Sequence, residues 1–334
     1  MPTVALTLEQ KRRVLELTDA GFTRKQIMEE TGLSDGSIGK IRGQRDTAPV
    51  VALQEGKKVG EFKWEEWCDW IDTGQTLRRK ASSSQHDAVI KLGDGTKPVI
   101  LFQLGDTHIG SWGADHRLLR GITKDIHETE NLYVVLIGDL IEMAIKMRSV
   151  LEVMGQILPP EQQLQFLESW IEAIQDKIAF SCWCNHGVER EEKMTGISSV
   201  KNLLAKKSVY FNGIGHPDVQ VGEQTYKFVV SHKFRGNSMY SKTYGPARYL
   251  RMEAHGREIA LQGDLHVPEI RQYTEGGERK LCITSGTLQT ASGYAQRYFS
   301  LKTFPVFPCV VLRHDRHEAI PFWSVAEALE YIGK

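Results

Sequence analysis

From Val89 onward, short apolar runs alternate with longer amphipathic segments. The runs are Val99–Leu104, 133–137, 178–184, 227–231, Ile259–Gln262, 281–284 and Cys309–Leu312. Several are apolar without a break, which is the pattern of strands covered on both faces. Helical periodicity over about 115–129 and 160–176 separates the earlier runs. Alternation of this kind predicts an α/β domain of mixed sheets.

Residues 7–44 follow another period. Thr7 can cap a helix carrying Val14, Leu15 and Leu17, which Asp19-Ala20-Gly21 ends. Thr23 can cap a second helix with Ile27 facing inward. Gly32 makes a tight turn, and Ser34 caps a third helix with Ile38 and Ile41 at a spacing of three. Residues 44–61, with Pro49, Gly56 and Gly60, read as a linker. Trp64, Trp67 and Trp70 then recur every third position, near one side of a short helix. Such a stripe is more often a docking surface or core than a base-stacking platform. Residues 81–85 are small and polar, as in a loop. The predicted domains are 1–45 (small all-α), 46–96 (linker and Trp-rich helix) and 97–334 (α/β).

Composition narrows the picture only a little. The 334 residues are 41% hydrophobic, which is ample for a core. Lysine plus arginine and aspartate plus glutamate number 42 each, so any basic surface must be local. Five cysteines form no regular framework. Cys182 and Cys184, read as residues of one strand, would point the same way and are best taken as two buried thiols. No charged start precedes an apolar stretch, and no run is long enough for a bilayer. A soluble, cytoplasmic protein without membrane partners is expected.

The chemistry lies just past the strands. Gly105-Asp106-Thr107-His108 follows the first run and Gly138-Asp139 the second. Asn185-His186 follows the third, His232 ends the fourth, and Gly263-Asp264-Leu265-His266 follows the fifth. Each cluster alone reads as a turn or a core histidine. Five of them, each directly after a strand, supply carboxylate, imidazole and amide oxygen where open α/β sheets place ligands. In the two Asp-x-His stretches, alternation along extended backbone would send both side chains to one side.

This order resembles the calcineurin-like metallophosphoesterase superfamily over roughly residue 97 to the C-terminus. The resemblance implies a four-layer αββα sandwich of two mixed sheets flanked by helices. It implies one ion on Asp106, His108 and His266, a second on Asn185, His232 and Asp264, and Asp139 bridging both. Two such ions, about 3.5–4 Å apart, would share a bridging hydroxide that attacks phosphorus, with His186 as general acid. The sequence departs from the family in places. Asp264 stands where histidine is usual, which shifts preference toward Mn2+ or Mg2+ and away from Zn2+; Mn2+ is the expected metal, with Mg2+, Fe2+ and Zn2+ as alternatives. Cys184 stands where glycine is frequent before the asparagine. Gly187 replaces an acidic residue. No arginine follows Asp139, where the chain reads Leu140-Ile141-Glu142-Met143, and this argues against a phosphoprotein phosphatase.

Two segments bear on the substrate. Between His232 and Asp264 lie Lys233, Arg235, Tyr240, Lys242, Tyr244, Arg248, Tyr249 and Arg251, suited either to a polyanion with stackable bases or to an ordinary solvated helix near 246–255. Residues 22–42 resemble a helix-turn-helix, with Met28 where a small residue is usual. Ser37, Lys40 and Arg42 of its third helix, with Lys233 and Arg235, are the candidate DNA contacts. The reading is a metal-dependent phosphodiesterase on nucleic acid, a DNA nuclease, in a layout similar to phage or mobile-element accessory enzymes. The alternatives are an enzyme of small or cyclic nucleotides and a non-enzymatic DNA-binding protein with a degenerate site. A homo-oligomer is conceivable because helix-turn-helix units often pair, although no interface is legible.

Overall fold

The computed structural model describes residues 8–20, 22–43, 63–81, 86–145, 153–236, 238–290 and 305–333. The chain divides into two compact units, residues 1–83 and 84–334. In the first unit, α1 (Leu8–Asp19), α2 (Arg24–Thr31) and α3 (Asp35–Gly43) bury Val14, Leu17, Ile27, Ile38 and Ile41 against one another. Thr23 and Gln26 form a reciprocal cap at the start of α2. Gly32 closes α2 at φ 68°, a left-handed angle that glycine adopts without strain. The Ser34 hydroxyl accepts from the Ser37 amide and starts α3. Met28 is 37% exposed, so it does not fill the helix crossing. A fourth helix, α4 (Trp64–Ala81), is longer than its tryptophan stripe suggests. Trp67 and Trp70 meet edge to face, while Trp64 is exposed. The expected linker and the loop at 82–85 lie outside the described residues.

The second unit starts ahead of the expected boundary at residue 97, because β1 (Asp87–Lys91) pairs with β6 (His216–Val221). Two six-stranded sheets form. One runs β12 (Ala319–Phe322), β11 (Cys309–Leu312), β2 (Val99–Leu104), β3 (Leu132–Leu136), β4 (Ile178–Cys182), β5 (Val209–Phe211). The other runs β1, β6, β7 (Gln224–Ser231), β8 (Ile259–Gln262), β10 (Glu278–Thr284), β9 (Glu269–Glu275).

Strand alternation explains the unbroken apolar runs. On β2, Val99 and Leu101 face the other sheet, joining Val135, Phe228, Leu261 and Ile283 in the core between the sheets. Ile100, Phe102 and Leu104 face the opposite way into a second core, with Leu119 and Ile126 of α5 (His116–Glu128) and Leu167 and Ile171 of α6 (Pro160–Ile174). On the far side of the other sheet, Val229 and Ala260 pack with Leu250 of α9 (Tyr244–Met252). The order is helices, sheet, sheet, helix, as the expected four-layer sandwich requires. Between α6 and α9 lie α7 (Arg190–Thr195) and α8 (Ser199–Lys207), and α10 (Val325–Ile332) ends the described chain.

One sequence expectation is corrected here. Because β4 stops at Cys182, Cys182 and Cys184 do not share a face: Cys182 lies between the sheets and Cys184 in the helix-side core. Both are buried free thiols. No described helix is long and apolar enough to cross a membrane.

Candidate metal centre

Strands β2, β3 and β4 run parallel in one sheet, and β7 and β8 run parallel in the other. Their carboxyl ends deliver all five predicted clusters to one place. The loops are stitched together by their own backbones. The Asp106 amide donates to the Gly138 carbonyl at 2.9 Å, and the His108 amide donates to that of Asp139 at 3.1 Å. The Gln103 side-chain amide donates to the Gln262 carbonyl at 2.6 Å, crossing from one sheet to the other. A side chain at position 138 would sit 2.6 Å from the Cys184 Cβ and 2.7 Å from the His232 Nδ1, so only glycine lets these loops approach.

The backbone at the site is strained. Asp106, His108, Asp139, Asp264 and His266 all have φ between 45° and 65°. Left-handed non-glycine residues are uncommon and cost about 1–3 kcal/mol each, so five in one place mark a structure held for a purpose. This replaces the extended backbone expected for the two Asp-x-His stretches. Asp106 and His108 do converge, but through kinked rather than extended chain.

Asp106, His108 and His266 present ligand atoms within 4.8 Å of one another. His266 Nε2 is 3.2 Å from Asp106 Oδ1 and 3.2 Å from His108 Nε2. Asp106 Oδ2 accepts from the Asp264 amide at 3.2 Å and from the Ser285 hydroxyl at 3.4 Å, which leaves Oδ1 turned to the centre. Asp106, Asp139 and His232 form a second such group. His232 Nδ1 donates to the Ile137 carbonyl at 2.7 Å, which directs the lone pair of Nε2 at the site. That Nε2 lies 3.2 Å from Asp139 Oδ2. The other oxygen, Asp139 Oδ1, accepts the His186 amide at 2.9 Å.

Among the described residues, three buried atoms at the centre make no hydrogen bond of good geometry, Asp106 Oδ1, Asn185 Oδ1 and His232 Nε2; the first and last face only ionisable neighbours, His266 Nε2 and Asp139 Oδ2, each at 3.2 Å. Unmet buried polar atoms are costly, and here all three are good donors to a cation. The electrostatics agree. Burial alone would lower the His232 imidazole, yet the charges of Asp139 and Asp106 push it up to about 10. Burial likewise opposes a charge on Asp139, yet His232 and His186 hold it well below the usual carboxylate range. The centre draws positive charge, and these residue types fit divalent ions.

Asp264 stands apart. Its Oδ1 is 4.0 Å from His232 Nε2, and Lys233 Nζ lies 2.9 Å from Oδ2 and 3.2 Å from Oδ1. Lys233, read as a DNA contact, is in this structure an ion-pair partner of the centre.

Sequence reasoning missed Glu142 and Arg190. Glu142 Oε2 is 2.8 Å from His108 Nδ1, and buries its carboxylate to orient that ring. It also forms a group with His108 and His186. Its signal was its place three residues after Asp139. Arg190 Nη1 donates to the Glu142 carbonyl at 3.0 Å, and Nη2 lies 3.0 Å from His186 Nε2. The turn Asn185–Glu189, wider than an α-turn, leads into α7 and places Arg190 there. His186 Nδ1 faces the Glu142 carbonyl at 3.1 Å. Burial lowers the His186 pKa, but Asp139 and Glu142 outweigh it and the net shift is upward.

The basic stretch after His232 is partly tied down by its neighbours. Arg248 pairs with Glu253 and Arg251 with Glu275, while Tyr249 packs on Phe234. Arg235, Tyr240 and Tyr244 are exposed. In the three-helix unit, the Ser37 hydroxyl lies 3.0 Å from that of Ser34, and the side chains of Lys40 and Arg42 lie outside the described part.

No family profile matches the chain, and no curated protein does. Solved structures do. A Streptococcus pneumoniae TIGR4 protein described as conserved, uncharacterized and a predicted phosphoesterase is 14% identical, covers 69% of this chain and 99% of its own, and gives a TM-score of 0.31. A Thermotoga maritima protein solved by NMR is 11% identical over 68% of this chain and 99% of its own, at 0.33. A metallophosphoesterase from Sphaerobacter thermophilus is 10% identical over 69% of this chain and 91% of its own, at 0.34. Likeness at this level leaves the reading of the site to its own geometry.

Proposed function

We propose that the chain is a metal-dependent phosphodiesterase of nucleic acid, a DNA nuclease, working with two divalent ions, Mn2+ before others. The observation that carries the reading is the convergence of five left-handed non-glycine residues around three buried donors without a well-formed hydrogen bond. Asp106, His108 and His266 would hold one ion, and Asn185, His232 and Asp264 the other, with Asp139 between them. When bound, the pair supplies positive charge for the phosphoryl oxygens and a water acidic enough to lose its proton near neutral pH.

The chain's own residues do the rest. Glu142 fixes the His108 ring and so its ligating nitrogen. His186 has Nδ1 turned to the Glu142 carbonyl, which leaves Nε2 to exchange a proton with the leaving oxygen. Asp139 and Glu142 raise its pKa and keep that proton available. Arg190 can only donate, so its approach to Nε2 stabilises the neutral ring once the proton has left.

Nucleic acid as the substrate is supported by two features. One is the N-terminal unit, whose capped α2, Gly32 turn and α3 resemble a helix-turn-helix. The other is the exposed set Arg235, Tyr240 and Tyr244 that follows a site residue in sequence. The test is hydrolysis with Mn2+ of end-labelled single- and double-stranded DNA beside bis-p-nitrophenyl phosphate. DNA cleavage is expected. Turnover of the small ester with neither cleavage nor binding of DNA would sink the nucleic-acid reading in favour of a small phosphoester.

A further inference from the structure

The two predicted metal positions differ in one respect that concerns their carboxylates. At the first, Asp106 Oδ2 is satisfied by neutral donors, the Asp264 amide and the Ser285 hydroxyl, and Oδ1 faces His266 Nε2, itself a predicted ligand of the same ion, at 3.2 Å. At the second, Asn185 Oδ1 and His232 Nε2 are buried without a well-formed hydrogen bond, but Asp264 has a cation already. The ammonium of Lys233 lies 2.9 Å from one of its oxygens and 3.2 Å from the other.

An ion arriving at Asn185 and His232 must share that carboxylate with Lys233 or displace it. Two cations on one partly buried carboxylate repel strongly. The two partners are not equally mobile. Asp264 is 14% exposed, sits at φ 65° and is tied by its amide to Asp106. Lys233 is 54% exposed, on a flexible four-carbon stem just past β7. Pairs of that exposure are weak, so the lysine is the partner that leaves.

We propose that Lys233 is a resident counter-charge of the second metal position. It neutralises Asp264 while metal is scarce, makes the second ion the weaker-bound of the two, and is expelled when that ion enters. The proposal rests on the two-ion reading of the site.

The experiment is calorimetric titration of the full chain with Mn2+, checked by metal analysis, for the wild type, Lys233→Met, Asp264→Asn and the double variant. In the wild type, two ions of unequal affinity are expected. Lys233→Met raises the weaker affinity about two- to fivefold and leaves the stronger one in place. Asp264→Asn loses the weaker ion, and adding Lys233→Met to it restores nothing. A second ion seen only in Lys233→Met is the extreme form of the same result. Two ions in the wild type with the weaker affinity unchanged or lowered in Lys233→Met overturns the role of the lysine and leaves the two-ion reading standing. One ion or none in every protein overturns both.

Discussion

The strand-end loops of the α/β unit and the N-terminal three-helix unit are built on opposite terms. The loops keep six non-glycine residues in left-handed backbone, five predicted ligands and Met143, and leave three buried polar atoms without a well-formed hydrogen bond. In the three-helix unit the local rules agree with one another. Thr23 and Gln26 cap reciprocally, Ser34 caps α3, and the left-handed angle falls on a glycine, Gly32. Val14, Ile27 and Ile38 are fully buried. A sequence that satisfies each local preference specifies a scaffold, and whatever such a unit does must lie on its surface. Strain, by contrast, persists only where the surrounding structure over-determines it, and it clusters at active sites and ligand clamps. Substitution should therefore separate the two regions: function without stability at the loops, stability without site chemistry at the helices.

The largest effect is expected at Asp139. Its carboxylate faces His232, accepts the His186 amide and stands between the two predicted ions. Asp139→Asn keeps the volume and removes the charge. Turnover of bis-p-nitrophenyl phosphate with Mn2+ should fall about 10³-fold or more, the order that follows from losing several kcal/mol of charge stabilisation. Mn2+ should raise the melting temperature of the wild type in proportion to the logarithm of its concentration, because it binds the folded state. In the variant this rise should shrink or vanish. Retained turnover would remove the two-ion mechanism.

His186 comes next. It is 17% exposed and its ring packs edge-on against His108, so Mn2+ binding is the control that the site survives its removal. His186→Ala should still bind Mn2+ and show the same metal-dependent rise in melting temperature. Its turnover should drop about 10²–10⁴-fold on an alkyl phosphodiester, whose leaving oxygen needs a proton. The loss should be much smaller with p-nitrophenolate, which leaves unaided. Equal losses on both esters would make His186 a positioning residue rather than the acid.

The same division governs what could be read in the sequence. Strands with both faces covered were legible, three of them to the residue: β2, β8 and β11 have the limits their apolar runs predict, while β3 begins one residue early and β4 ends two residues short. Strands half exposed were not. In β6, buried and partly buried positions alternate along His-Pro-Asp-Val-Gln-Val, and β9 carries charged or polar side chains at most positions. Both signals dissolve into the surrounding loops. The site residues were legible because each directly follows a strand of the first kind. Their left-handed backbone was not, since only the meeting of loops from two sheets imposes it. Glu142 and Arg190 escaped for a related reason: one lies on a folded-back loop and the other past a widened turn, and neither distance is coded in local spacing. Lys233 was visible, but its partner, Asp264, lies on the neighbouring strand's loop.

The last test addresses the scaffold half of the comparison. Ile38 is fully buried among Val14, Leu17, Ile27 and Ile41 of its own unit. Truncating a buried isoleucine to alanine removes its transfer free energy and leaves a cavity, about 2–5 kcal/mol together. A unit of this size has little stability to spare. Ile38→Ala should therefore unfold α1 to α3, seen as lost helical dichroism and as proteolytic cleavage confined to the first 83 residues. Hydrolysis of bis-p-nitrophenyl phosphate and its Mn2+ dependence should not change, because every predicted ligand belongs to the other unit. DNA cleavage should weaken if the helices deliver the substrate. Loss of small-ester hydrolysis alongside the helices would mean that the two units stand or fall together, and the contrast between strained site and satisfied scaffold would describe one cooperative structure instead of two.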